Sequence, residues 1–146
     1  MGEYTKDQLD AFTEQIIGAA IAVHHELGPG MLAKAYEACL MYELLDRGLF
    51  VEREKTLPVV YRGQAIDCGF RLDLLVEKAV VVEVKSIERF ARVHSAVLRS
   101  YLRLSRCTVG LLLNFNVKWL VEDGIKRMVY GFPDSGFKPR TDEPAE

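Results

Sequence analysis

Between Phe70 and Lys85 the chain reads FRLDLLVEKAVVVEVK, and the alternation in this stretch constrains the fold more than any other feature. Leu72, Leu74 and Val76 share one face of an extended strand, and Val80, Val82 and Val84 share one face of the next, because successive strand side chains point to opposite sides. Bringing the two apolar sets together on a core side requires Leu74 opposite Val82 and Val76 opposite Val80. The connection is then Glu77, Lys78 and Ala79, a length compatible with a bulged hairpin. In that register Asp73 stands opposite Glu83, and Arg71 opposite Lys85. A two-residue turn at Glu77-Lys78 would slip the pairing by one residue and send the acids to opposite faces. The apolar pattern favours the first arrangement.

Two carboxylates about 5 Å apart on one face of a hairpin repel each other unless a cation lies between them. A hard divalent cation with oxygen ligands, Mg²⁺ or Mn²⁺, meets that need. Lys85 can then orient or help activate a water, or stabilise negative charge developing on a phosphate. Asp73, Glu83 and Lys85 are therefore the candidate catalytic residues of a metal-dependent phosphodiesterase. The plainer alternative is a hairpin whose solvent face carries charges, with Lys85 or Arg71 neutralising the acids.

The rest of the chain supplies a setting for this hairpin. Its 146 residues point to one domain, covering residues 1–132, that needs no disulfide or metal to hold a core. With 49% hydrophobic and 27% charged residues the composition is that of a soluble globular protein. A net charge of -2 argues against wholesale coating by nucleic acid but leaves local patches open. Cys39, Cys68 and Cys107 have no paired spacing, so neither a disulfide framework nor a thiolate metal site is expected, and a cytoplasmic location fits. The first residues, MGEYTKDQLD, carry no signal-peptide pattern, and no apolar run is long enough for a membrane span.

A helix is expected from Lys6 to Leu27, with Phe12, Ile16, Ala19, Ala20 and Val23 as its buried stripe and Thr5 with Gln8 as a capping box. LGPG breaks the chain, and a second helix runs from about Met31 to Arg47, closed by Gly48. Strand-like segments follow, turning at Arg62-Gly63. Helical periodicity returns from Ile87 to Arg106; TVGLLLNF then reads as a buried strand and GIKRMVY as an edge strand. The tail 133–146 is polar and proline-rich and is expected to be disordered. The order is α-α-β-β-β-α-β, a meander followed by a crossover helix that delivers a parallel strand.

At this point a resemblance becomes specific. LGPGMLAKAYE, LPVVYRGQAIDCGFRLDLLVE, VVVEVK, VHSAVLRSYL and VGLLLNF resemble successive blocks of the GxxExxY family. That family is similar to the PD-(D/E)XK nuclease superfamily, so the resemblance implies an α/β, restriction-endonuclease-like fold: an α-β-β-β-α-β core with a mixed sheet and an extra N-terminal helix. It implies Asp73 and Glu83 as metal-binding acids, Lys85 as the catalytic lysine, and the carbonyl of Val84 facing the metal. The implied substrate is DNA or RNA. Two positions depart from the pattern. Ala33 stands where the family has glutamate, with Glu37 one helical turn on as a substitute. Val97 stands where glutamine is expected, four residues before Tyr101. Both departures favour a second reading, a nuclease fold without turnover that serves in binding or assembly, as a homodimer or with a protein partner.

Other candidates carry structural readings beside functional ones. His94 and Tyr101 are read as supporting the site, His94 by approaching Lys85. Arg89, Arg92, Arg99, Arg103 and Arg106 fall on one side of their helix, opposite Val93, Val97, Tyr101 and Leu104, and read as a solvated face or a partner contact. His24 and His25 suit the C-terminal dipole of the first helix. Tyr36 reads as a packed ring with a polar tip, and Trp119 as a packing anchor or a stacking residue.

Overall fold

The computed structural model describes residues 4–131; the tail from Pro133 lies outside them. Helix α1 spans Lys6–Leu27 and opens with the expected capping box: the Thr5 hydroxyl accepts the Gln8 N–H, and the Gln8 side chain accepts the Thr5 N–H. Its buried stripe is Leu9, Thr13, Ile16, Ala19, Ala20 and Val23. Helix α2 spans Ala33–Asp46, beginning two residues later than its pattern suggested. Gly48 follows it with φ 82°, and the Leu49 N–H closes onto the Leu44 carbonyl.

Five strands follow: β1 Val51–Tyr61, β2 Gln64–Val76, β3 Val80–Lys85, β4 Val109–Asn114 and β5 Ile125–Val129. Helix α3, Arg92–Ser105, links β3 to β4, and the single helical turn α4, Leu120–Asp123, precedes β5. The sheet order is β1-β2-β3-β4-β5, antiparallel except for the parallel pair β3 and β4. Arg62 and Gly63 turn the first hairpin, both with positive φ, as a tight primed turn requires. The element order is the one expected from the sequence, with α1 as the additional N-terminal helix; α4 had no periodic signal to announce it.

The β2–β3 register is as the alternation demands: Leu74 pairs with Val82, Leu75 with Val81 and Val76 with Val80. Both faces of the sheet are covered. One core, between the sheet and α1 and α2, holds Leu74, Val76, Val80, Val82, Leu111 and Leu113 against Ile16, Ala20, Tyr36 and Leu40. The other, under α3, holds Leu72, Leu75, Val81 and Leu112 against Leu98 and Leu102. Strands β3 and β4, covered on both sides, therefore read as continuous apolar runs.

The buried side of α3 differs from the expected one. Leu98 and Leu102 point inward, whereas Val93 is 60% exposed and Val97 36% exposed. Gly110 on β4 accounts for the rotation, because a Cβ there would lie 2.8 Å from the Leu98 Cδ1. The missing side chain admits the two leucines and turns the valines out. Arg92, Arg99 and Arg106 are exposed, while Arg103 is half-buried.

Candidate active site

The β2–β3 ladder stops at Leu74 and Val82, one residue short of the acids. Beyond it, side chains replace the backbone pairing. The Val84 N–H donates to Asp73 Oδ2 at 2.8 Å, and the Asp73 N–H lies 3.4 Å from Glu83 Oε2. Asp73 and Glu83 are thus brought together, but by reaching across a ladder that has ended. Arg71 does not stand opposite Lys85; it pairs with Thr56 on β1. Leu72 also leaves the face of Leu74 and joins the core under α3.

One irregularity accompanies both changes. Along β1 and β2, Arg53 pairs with Leu74 and Lys55 with Leu72, but Glu54 and Asp73 between them do not pair. Glu54 adopts a left-handed backbone, φ 54°, that a glutamate rarely takes. The register is unchanged on either side of the break, yet Leu72 and Leu74 fall in different cores across it. Strict alternation cannot foresee it.

Glu83 is 3% exposed. Burial, then the charge of Asp73 and a hydrogen bond to its carboxyl, push its pKa up to about 9, and Lys85 offsets only part of this. Near neutral pH without a cation, the pair therefore holds a proton on Glu83. Lys85 is half-buried at the end of β3, and its carbonyl accepts the Phe115 N–H at 3.0 Å.

A second charged group adjoins the first. Glu37 on α2 is 3% exposed and accepts a 2.6 Å hydrogen bond from Arg53 Nε. Burial raises its pKa, the Arg53 bond pulls it down, and the Asp73 charge pushes it up again. Glu54 is met by Lys34 in a short ion pair, by Arg71 at 3.8 Å and by Arg53 at 3.9 Å. Tyr101 belongs to the same neighbourhood. Its hydroxyl is raised by burial, then by the charges of Glu83 and Asp73, and its ring meets Phe70 edge-on at 5.5 Å.

Glu37 and Tyr101 thus lie beside the acids. His94 has a different employment: its Nδ1 accepts the Ala91 N–H at 2.8 Å and caps α3, with its ring against Phe90. The capping bond holds the ring at the start of its own helix. His24 bonds the Val117 carbonyl at 2.7 Å and ties α1 to the loop before α4. Tyr36 stacks on Phe115 at 4.6 Å, and its hydroxyl donates to the Gly28 carbonyl and accepts the Met31 N–H, which holds the LGPG turn. Trp119 is 58% exposed beneath the Lys118 ammonium, at the rim of a cleft of about 380 Å³ that does not include the acids. Lys34, Arg53 and Glu54 were not singled out from the sequence. The available signal was Lys34 in a first helical turn that carries no acidic residue, where a cation is disfavoured.

The donor set fits a hard divalent cation. Two carboxylates converge, one of them buried, and their mutual repulsion is relieved by a proton or a cation. Among the described residues, no three His, Cys, Asp or Glu side chains form a ready-made cage. Mg²⁺ is commonly held by one or two carboxylates together with water and substrate phosphate, so two acids suffice for it. Glu37 is committed to Arg53 and is not a third donor in this arrangement.

Comparison with known families agrees with the geometry. The family model of the PD-(D/E)XK nuclease superfamily matches residues 10–128, and the chain belongs to that superfamily. Its α/β fold with a mixed five-stranded sheet is restriction-endonuclease-like. Members typically use divalent metals. No curated protein and no solved structure matches the chain. No helix among the described residues is long and apolar enough to cross a membrane.

Proposed function

We propose that this nuclease-superfamily domain hydrolyses phosphodiester bonds of DNA or RNA, with Asp73 and Glu83 holding Mg²⁺ or Mn²⁺ and Lys85 acting on the attacking water or the phosphate. The observation that carries the reading is the buried Glu83 carboxyl bonded to Asp73 at the point where the ladder ends. A purely structural acid at this position would destabilise the fold at neutral pH; a cation-binding acid would not.

In this scheme the Val84 N–H fixes Asp73 Oδ2, and a cation would take the place of the proton shared between the Asp73 and Glu83 carboxyls. The carbonyl of Val84 is the proposed third protein ligand. The bound cation would polarise a phosphoryl oxygen and neutralise charge as the bond breaks. Lys85 donates to the phosphate oxygens or orients the water. Tyr101 lies close enough to feel the charges of both acids, with its ring against Phe70. Glu37, fixed by Arg53, supplies negative charge beside Asp73, the part that a glutamate at Ala33 would otherwise take. Residues 1–132 act in this scheme as one domain.

A second reading is favoured by Ala33 and Val97: a weak or inactive nuclease fold serving in binding or assembly, as a homodimer or with a protein partner. One experiment separates the two. Mg²⁺ or Mn²⁺ should raise the melting temperature of the protein and support cleavage of mixed DNA and RNA substrates, and Asp73→Asn should remove both effects, with activity falling by about 10³-fold or more. A metal-induced shift without cleavage supports the second reading. Neither shift nor cleavage removes the hydrolytic one.

A further inference from the structure

The cations around Glu54 have a task that folding does not explain. Lys34, Arg53 and Arg71 come from α2, β1 and β2, and all three converge on the one carboxylate. Lys34 is 60% and Arg71 54% exposed, so the ion pairs stabilise the fold little. Lys34 also sits in the first turn of α2, a turn with no acidic residue and no side-chain cap, where its charge opposes the helix dipole. Glu54 itself sits in the left-handed region, φ 54°. Strain of that kind persists where the surroundings impose it. Arg53 is anchored by Glu37, which leaves Lys34 and Arg71 as the displaceable partners. Glu54 and Asp73 occupy the two skipped positions of the same ladder, so this cluster adjoins the acids.

We propose that Lys34, Arg53 and Arg71 form a seat for a backbone phosphate of a nucleic acid, occupied in the free protein by the Glu54 carboxylate. Glu54 acts as an internal anion that a phosphodiester displaces, so the seat is open only to a ligand that outcompetes it. The inference rests on the nuclease reading for its substrate class. It differs from that reading in needing no metal and no bond cleavage.

The test measures binding apart from cleavage. Fluorescein-labelled single-stranded and duplex oligonucleotides are titrated with the full chain in EDTA, and anisotropy is followed from low to moderate salt. Glu54→Gln should tighten binding about five- to tenfold, since it removes a like charge from the seat. Lys34→Ala and Arg71→Ala should each weaken it about three- to tenfold and reduce the salt slope by about one. Glu54→Gly removes the carboxylate and suits the left-handed backbone, so it should bind like Glu54→Gln with an undiminished melting temperature. The seat is overturned if neither Glu54 variant binds more tightly than the wild type, if either cationic variant binds as well as the wild type, or if the wild-type and Glu54 variants bind no oligonucleotide. Cleavage is scored separately with Mg²⁺. Metal-dependent cutting with no response to these substitutions sinks the seat alone; the predicted binding changes without cutting sink hydrolysis alone.

Discussion

Two carboxylate groups lie side by side in this protein and are treated in opposite ways. Glu83 and Asp73 face each other, with Lys85 as the cationic influence on Glu83 and Arg53 within reach of Asp73, and Glu83 is pushed up to about 9. Glu54 is surrounded by Lys34, Arg53 and Arg71 and is held below the usual carboxylate range, chiefly by its bond to Lys34, while Glu37 beside it, bonded to Arg53, is still raised by its burial. The same residue types, drawn from α2, β1, β2 and β3, thus make one place short of positive charge and another crowded with it. The first has the character of a cation site. In the proposed seat, the second keeps its cations engaged on Glu54 until a phosphate displaces it. A nuclease centre needs both, a metal at the acids and a hold on the phosphate backbone.

The contrast can be broken most forcefully through Arg53. Arg53→Ala leaves Glu37 buried without its partner and should cost about 1–3 kcal/mol in chemical denaturation. If stability is unchanged, Glu37 is not held by this pair in solution. Next in size is the response of the metal-free protein to pH. Glu83 binds its proton up to about pH 9 in the fold, while the unfolded chain releases it near 4.5. Its contribution to stability is therefore complete below about pH 4.5 and is lost as pH rises toward about 9. Glu83→Gln removes that dependence and should raise the melting temperature at pH 8 in EDTA by roughly 4–8 °C. A lower melting temperature for the variant would mean that Glu83 is charged and satisfied in the fold. The smallest effect belongs to the exposed cations. Lys34→Ala should move the midpoint by about 1 °C or less, and a large loss would make Lys34 a structural residue.

Much of this was legible beforehand because it is local. The capping box of α1, the Gly48 stop and the Arg62-Gly63 turn depend on residues within one or two turns of each other. The β2–β3 register follows from valine and leucine alternation, since any other pairing would turn an apolar face to the wrong side. That register brought Asp73 and Glu83 together as candidates. The inward face of α3 was not legible, because Gly110 on a distant strand decides which leucines can approach.

The sequence by itself determined the elements, their order and the pairing of the acidic hairpin, since hydrophobic period and turn chemistry act over short ranges. Only the tertiary structure decided how the site is finished. The skipped positions at Glu54 and Asp73, the switch of Leu72 to the other core and the meeting of Lys34, Arg53 and Arg71 all require α2 and β1 to lie against β2. Charges from three separate elements have no common period along the chain. Their convergence arises from packing, and it turns an acidic hairpin into a site with a cationic neighbour.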